Sequence, residues 1–309
     1  MSNGTILVTP RSVTRNGHPA LEALRSAGFT VKFCEPGQTP TEADLLRLLP
    51  GCIGYLAGVE KVSAVALRVA TNLKVISRNG TGIDNVDLAA AKDLGMVVCR
   101  AEGANARGVA ELTMGLILSL ARHIPQSDLA MKAGQWERIQ GFELEGRTLG
   151  VVGCGRIGRL VTGFALAFGM RVLAYDAFPD LNYQPSAAFT YAPLDELIEH
   201  ADVLTLHCPP SAGGALINAA AIDRMKHGVL LINTARAELV DRAALGPALE
   251  SGRVGGYGVD AYAVEPPGDD PFLRHRRVIA TPHAGGLTGE SIDRAIGVAV
   301  ENLLRELKR

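Results

Sequence analysis

Residues 148–176 read TLGVVGCGRIGRLVTGFALAFGMRVLAYD. The stretch opens with apolar, β-branched residues (Leu149, Val151, Val152) that read as a buried strand. Gly153-Cys154-Gly155-Arg156-Ile157-Gly158 follows, a G-x-G-x-x-G turn. A helical pattern runs to about Phe168, and a second strand, Arg171 to Tyr175, ends at Asp176. In this strand–turn–helix–strand setting the glycines predict a dinucleotide site. Gly153 permits a tight turn, Gly155 leaves room for a pyrophosphate, and Gly158 lets helix and strand approach. The N–H groups of Arg156 and Ile157 sit at a helix N-terminus, where the macrodipole favours an anion. Asp176 is placed to accept hydrogen bonds from both ribose hydroxyls and would repel a 2′-phosphate, so NAD is expected over NADP. The alternative is a glycine turn that only packs a helix.

The bulk properties leave room for this. The 309 residues suffice for two domains, and 47% hydrophobic content supports substantial cores. Lys+Arg 31 against Asp+Glu 32 shows no basic excess that would suggest nucleic acid or an anionic membrane as partner. The longest nearly uncharged apolar stretch, Leu112 to Ala121, is too short to span a bilayer. MSNGTILVTP at the start has no basic region before a long apolar core, so no signal peptide is expected. Five cysteines without a C-x-x-C fit reduced thiols in a cytoplasm better than a disulfide framework, and no metal site is expected.

Strand and helix alternate on both sides of the glycine turn. Strands are expected at Thr5–Val8, Thr30–Cys34, Cys52–Ala57, Lys74–Ser77 and Met96–Cys99, with helices between them. After Asp176 come strands at Val203–His207, Val229–Asn233, Gly255–Asp260 and Val278–Ala280, with helices at 194–200, 222–226 and 243–250 between them. A last amphipathic helix follows at 291–308. Such alternation implies parallel, doubly wound sheets. A long helix from Ala104 to Arg122 is apolar on most faces and must be buried, over the nucleotide domain's edge or in a dimer seam. Trp136 is expected in a core. Domain crossings are expected near Cys99–Arg100 and Pro282–Gly286.

Ligands of such sheets bind beyond the strand C-termini. Arg78-Asn79-Gly80-Thr81-Gly82 follows one such end. Two glycines one residue apart can expose consecutive N–H groups as an anion nest, with Arg78 as a bidentate clamp. An ordinary turn with Asp84 or Asn85 as helix cap reads equally well. Carbonyl reduction needs a proton donor charged near neutral pH, which makes histidine the first candidate. Of seven, His283 stands straight after a strand at a domain crossing. His207 also ends a strand and either lines the cofactor cleft or packs there. Glu265, in a proline-stiffened loop, is suited to orient a histidine and favour its charged form. Arg236, after another strand, is suited to hold a carboxylate bidentately and polarise the adjacent carbonyl.

Five segments together, 79–87 (NGTGIDNVD), 152–158 (VGCGRIG), 231–236 (LINTAR), 260–267 (DAYAVEPP) and 281–286 (TPHAGG), resemble the D-isomer-specific 2-hydroxyacid dehydrogenases. Within that family they are most similar to the branch acting on 3-phosphoglycerate. The resemblance spans nearly the whole chain. It implies a Rossmann NAD-binding domain, residues 100–283, inserted in a split flavodoxin-like substrate domain, residues 1–99 plus 284–309. It implies Arg236 as carboxylate binder, His283 as acid/base and Glu265 as its partner. Backbone near Thr81 and Gly82 would hold the substrate's carboxylate. Asp260 would contact the nicotinamide carboxamide, and Cys208, Thr234, Ala235 and Gly285 would line the cofactor. A homodimer through the long helix and a small anionic 2-hydroxy or 2-keto acid substrate are implied as well. Hydroxypyruvate or glyoxylate reduction, formate or phosphite oxidation, and a non-enzymatic NAD-sensing corepressor are the alternatives. Formate enzymes usually carry glutamine where Glu265 stands. Ala237-Glu238 stands where Gly-Gly is common, Tyr262 where phenylalanine is usual, and Asn79 and Arg100 also depart from the pattern. No serine-binding regulatory domain is expected after the last helix.

Overall fold

The computed structural model describes residues 3–210 and 213–308. The chain forms two units: one holds it up to Asn105 and again from Gly289, the other is Ala106–Thr288. The smaller unit begins with strands β1 (Thr5–Val8), β2 (Thr30–Phe33), β3 (Cys52–Ala57), β4 (Val75–Arg78) and β5 (Val97–Arg100). All pair in parallel, in the order β2-β1-β3-β4-β5, which is the flavodoxin-like arrangement. Helices α1 (Arg11–Asn16), α2 (Leu21–Ser26), α3 (Glu42–Leu48), α4 (Ala64–Arg68) and α5 (Leu88–Asp93) connect them. Thr41, Ser63 and Asp87 cap α3, α4 and α5 with side-chain oxygens that accept backbone N–H groups of the first turn. The cap of α5 is thus Asp87 and neither Asp84 nor Asn85. Helix α1 has one buried residue, Val13, so its sequence shows no helical period.

The larger unit starts with α6 (Ala106–Ala121) and α7 (Ile124–Lys132). Then come β6 (Thr148–Val152), α8 (Arg156–Ala167), β7 (Arg171–Tyr175), β8 (Phe189–Tyr191), α9 (Leu194–His200) and β9 (Val203–Leu206). The unit continues with α10 (Ala219–Arg224), β10 (Val229–Asn233), α11 (Arg242–Ser251), β11 (Val254–Val259) and β12 (Val278–Ala280). Helix α10 starts three residues before the expected Ile222, because Asn218 caps it through the Ala221 N–H. Every strand pair is parallel, and the order is β12-β11-β10-β9-β6-β7-β8. From β6 the chain winds one way through β7 and β8, then returns to the other side of β6 with β9. The glycine turn therefore lies at the switch point, where such sheets bind nucleotides.

Helix α6 lies on a face of this sheet, against β10, β11 and α8. It buries Val109, Met114, Leu116, Ile117 and Leu120. The approach is close because β11 presents glycine: a Cβ on Gly258 would stand 3.2 Å from Leu116 Cβ. Trp136 departs from expectation. It is 81% exposed, in the stretch after α7 that forms neither strand nor helix and offers its ring no apolar seat.

Helix α12 (Gly289–Leu307) belongs to the smaller unit. Its apolar stripe, Ile296, Ala299, Val300 and Leu303, is buried in one cluster with Ile6, Val8, Leu56 and Val75. No helix among the described residues is long and apolar enough to cross a membrane.

Candidate active site

In the larger unit the three glycines of the turn differ in surroundings. Gly153 has φ +94, and a Cβ there would stand 2.6 Å from the His207 carbonyl carbon. A Cβ on Gly158 would lie 2.1 Å from the Gly153 oxygen, so strand-turn and helix meet backbone to backbone. A Cβ on Gly155 would meet nothing within 4 Å. Gly155 is the N-cap of α8 and supplies no side-chain cap. The first N–H groups of this helix are therefore left for an external acceptor, with the dipole behind them. Asp176 follows β7: its Oδ2 accepts from Cys154 N at 2.8 Å and its Oδ1 from Phe178 N at 2.9 Å. The carboxylate braces the glycine turn and retains lone pairs for a ribose diol. An open Gly155, an uncapped helix start and an acid at the next strand end fit a dinucleotide.

Two further strand-end residues flank this turn. His207 Nε2 lies 3.0 Å from Thr205 Oγ1. Its Nδ1 is buried without a partner among the described residues. Burial pushes this imidazole down to about 3, so it is neutral near pH 7 and unsuited to donate a proton there. Burial pushes the Cys208 thiol up, away from a reactive thiolate.

The three predicted catalytic side chains follow three neighbouring parallel strands, and so lie at one edge of one sheet. After β10, the buried Asn233 folds the turn: its Oδ1 accepts from Ala235 N at 3.1 Å and its Nδ2 donates to Arg236 O at 2.8 Å. Arg236 leaves this turn in an extended conformation, with φ -145. Thr234 Oγ1 stands 3.1 Å from Thr113 Oγ1 of α6. Thr113 donates to Val109 O at 2.8 Å, so Thr234 is the donor between the two hydroxyls. Sequence reading passes over Thr113 and over the role of Asn233. Their signal is a polar residue among the buried apolar positions of a helix and at the end of an apolar strand.

After β11, Asp260 is only 2% exposed. Its Oδ1 accepts from Thr281 Oγ1 at 2.6 Å and from Ala284 N at 2.7 Å, and its Oδ2 from Gly285 N at 2.8 Å. These bonds tie the loop after β12 to the end of β11 and keep Ala284 and Gly285 with the larger unit. That loop carries His283, whose φ of 51 places a non-glycine residue in the left-handed region. His283 Nδ1 lies 2.7 Å from Glu265 Oε1 and 2.9 Å from Oε2. A carboxylate only accepts, so Nδ1 carries the proton and Nε2 is the nitrogen free to exchange one.

In the smaller unit the loop after β4 is organised by Arg78 and Asn85. Arg78 Nε donates to Asn85 Oδ1 at 3.2 Å, and its Nη1 donates to Asn79 O at 2.6 Å. Asn85 Nδ2 in turn donates to Glu60 O at 2.6 Å. The guanidinium thus uses two of its three nitrogens to brace the loop, which argues against the bidentate clamp expected of Arg78. The N–H groups of Thr81 and Gly82 donate to no acceptor among the described residues, as an anion nest requires. Asn79 and Gly80 serve the loop itself: Asn79 N donates to Ala57 O, and Gly80 O accepts from Ala101 N. No group of three or more metal-ligating side chains occurs among the described residues.

Comparisons with known proteins agree with this geometry. Residues 114–285 match the family model described as D-isomer specific 2-hydroxyacid dehydrogenase, NAD binding domain. A hydroxypyruvate reductase of Thermotoga maritima is 40% identical over 273 residues, 85% of this chain and 88% of that protein. Human D-3-phosphoglycerate dehydrogenase is 40% identical over 264 residues, 83% of this chain. The chain spans about half the length of that relative, 49%. Among solved structures, the TT0316 protein of Thermus thermophilus superposes with a TM-score of 0.86 at 36% identity, over 98% of this chain and 97% of that one.

Proposed function

The chain belongs to the D-isomer-specific 2-hydroxyacid dehydrogenase family, and from that premise we propose that it interconverts a D-2-hydroxy acid and its 2-keto acid with NAD. The observation that carries the reading is the His283–Glu265 pair, 2.7 Å apart at the same sheet edge as the glycine turn and Arg236. Bound NAD supplies the acceptor for the hydride that leaves the C2 carbon. Gly155 and the start of α8 hold its pyrophosphate, and Asp176 its adenosine ribose. His283 Nε2 takes the hydroxyl proton during oxidation and returns it to the carbonyl oxygen during reduction. Glu265 offsets the positive charge that forms on the ring. Arg236 binds the acid's carboxylate and polarises the carbonyl. In the smaller unit, the N–H groups of Thr81 and Gly82 are the candidate nest for an anionic group.

For substrate, our first reading is an acid with a second anionic group, such as D-3-phosphoglycerate and its keto partner. Hydroxypyruvate or glyoxylate is the second. It is favoured by the two Arg78 nitrogens already engaged and by the relative matched over 88% of its length, a hydroxypyruvate reductase. A panel of 2-keto acids with NADH tests both readings. His283→Ala should lower turnover by roughly 10²–10⁴ while NADH still binds. NADH binding without turnover of any acid by the unaltered protein would favour an NAD sensor instead. On the first reading, with Arg78 Nη2 meeting the second anion, Arg78→Ala should raise KM for 3-phosphohydroxypyruvate far more than for glyoxylate; equal effects would favour the smaller acids. We further propose a homodimer, supported by exposed Ile124, Leu129 and Met131 on α7, and a reducing cytoplasm, supported by five free cysteines. Light scattering checks the first and cell fractionation the second.

A further inference from the structure

Tyr262 stands on the loop that carries Glu265 and reaches across to the loop that carries His283. Its backbone N–H donates to Glu265 Oε1 at 3.3 Å, and the same oxygen stands 2.7 Å from His283 Nδ1. Its phenol donates to the Thr281 carbonyl oxygen at 2.7 Å. That carbonyl also accepts the His283 backbone N–H, at 2.9 Å. One residue therefore holds the carboxylate at one end and, at the other, the acceptor that fixes the histidine's own backbone.

We infer that Tyr262 is a positioning residue for the proton-transfer step: its hydroxyl clamps the His283 loop in the turn that presents the imidazole to Glu265. This rests on the assignment of His283 and Glu265 above. The physical need is plain. His283 sits at φ 51, which costs free energy for a side chain with a Cβ and persists only where surrounding bonds over-determine it. Glu265 and His283 are both well exposed, at 41% and 56% of their side chains. Packing does not hold them, so hydrogen bonds must. Asp260 secures the loop through Thr281 Oγ1, Ala284 N and Gly285 N, on either side of His283. None of these bonds reaches the Thr281 carbonyl, and the Tyr262 hydroxyl does. Burial, with Asp260 and Glu265 nearby, pushes this phenol up to about 12, so it remains a donor across the working pH range. A phenylalanine would fill the same space and lack the bond.

The test is Tyr262→Phe, alone and combined with Glu265→Gln, in full-length protein. The readouts are kcat, KM and the pH profile of 2-keto acid reduction, with NADH affinity and the melting temperature as controls. Loss of one hydrogen bond should lower kcat about fivefold, with KM and NADH affinity within twofold. The upper pH limit of reduction should move down in Tyr262→Phe, as in Glu265→Gln, and the two shifts should not add. An unmoved pH profile in Tyr262→Phe, beside a shifted one in Glu265→Gln, overturns the clamp and leaves the acid/base pair standing. So do additive shifts, because they mean the hydroxyl acts elsewhere. If Glu265→Gln itself leaves the profile unmoved, the pairing fails and the clamp fails with it.

Discussion

At the scale of single residues, three glycines of one motif carry three different constraints, and a substitution separates them. Gly155 faces open space and has a φ of -78, which alanine adopts freely. Gly155→Ala should leave the melting temperature within about a degree and weaken NADH binding roughly tenfold or more, since its methyl enters the pyrophosphate's place. Gly158→Ala drives a Cβ to 2.1 Å from the Gly153 oxygen, and backbone cannot rotate aside. It should lower both stability and cofactor affinity. Calorimetry and fluorescence titration of the two variants check this, and equal loss of stability in both would count against the assignment. The motif's spacing is legible in the sequence because each glycine answers a local need. The bond from Cys154 N to Asp176 Oδ2 is not, because it closes over 22 residues and exists only once β7 lies beside β6. The same holds for Asp260 with Gly285 and for Tyr262 with Thr281. Sequence reading names Asp260 and marks Tyr262 as unusual, yet what each side chain grips depends on which strand ends the sheet makes neighbours.

At the scale of elements, legibility follows burial contrast. Strands β1, β3, β10 and β12 fall on their expected bounds, because short apolar runs between turn residues have one sensible reading. Helix α7 and strand β8 escape it. Helix α7 buries only Ala130 and so lacks a period, while β8 is a three-residue edge strand. The glycine-rich strand β11 is recognisable as a strand, and the reason for its glycines is tertiary: α6 lies against them. A Cβ on Gly258 stands 3.0 Å from Ile232 Cδ1 and 3.2 Å from Leu116 Cβ, and the latter has no rotamer to escape into. Gly258→Val should therefore destabilise the protein by about 1–3 kcal/mol through overpacking. Gly163 on α8 provides the contrast, since a Cβ there meets nothing within 4 Å. Gly163→Ala should stabilise by about 0.5–1 kcal/mol through helix propensity. Urea unfolding distinguishes them; a neutral Gly258→Val would mean that α6 is loosely seated.

At the scale of the whole molecule, the doubly wound organisation is visible in the alternation of strands and helices. The engagement of Arg78 is not, because its bonds to Asn85 Oδ1 and Asn79 O exist only once the loop after β4 has folded, and the substrate role proposed for it turns on the atoms they leave uncommitted. Global stability carries a comparable hidden dependence on pH. His207 is neutral in the folded chain down to about 3, because burial penalises its charged form. In the unfolded chain it titrates near its ordinary value, about 6.5. Between those values the unfolded state binds a proton that the folded state refuses, so stability falls as pH drops through the window. The slope is at most about 1.4 kcal/mol per pH unit for this one group. Carboxylates also titrate at the lower end, and a variant separates their share. His207→Gln keeps a polar side chain that reaches toward Thr205 and has no such titration. Its stability relative to the unaltered protein should improve by about 2 kcal/mol between pH 7 and pH 5, whatever the difference at pH 7. Urea unfolding at the two pH values measures this directly. A gap that stays constant would mean that His207 takes up its proton in the folded protein, against the burial of an Nδ1 that has no partner among the described residues.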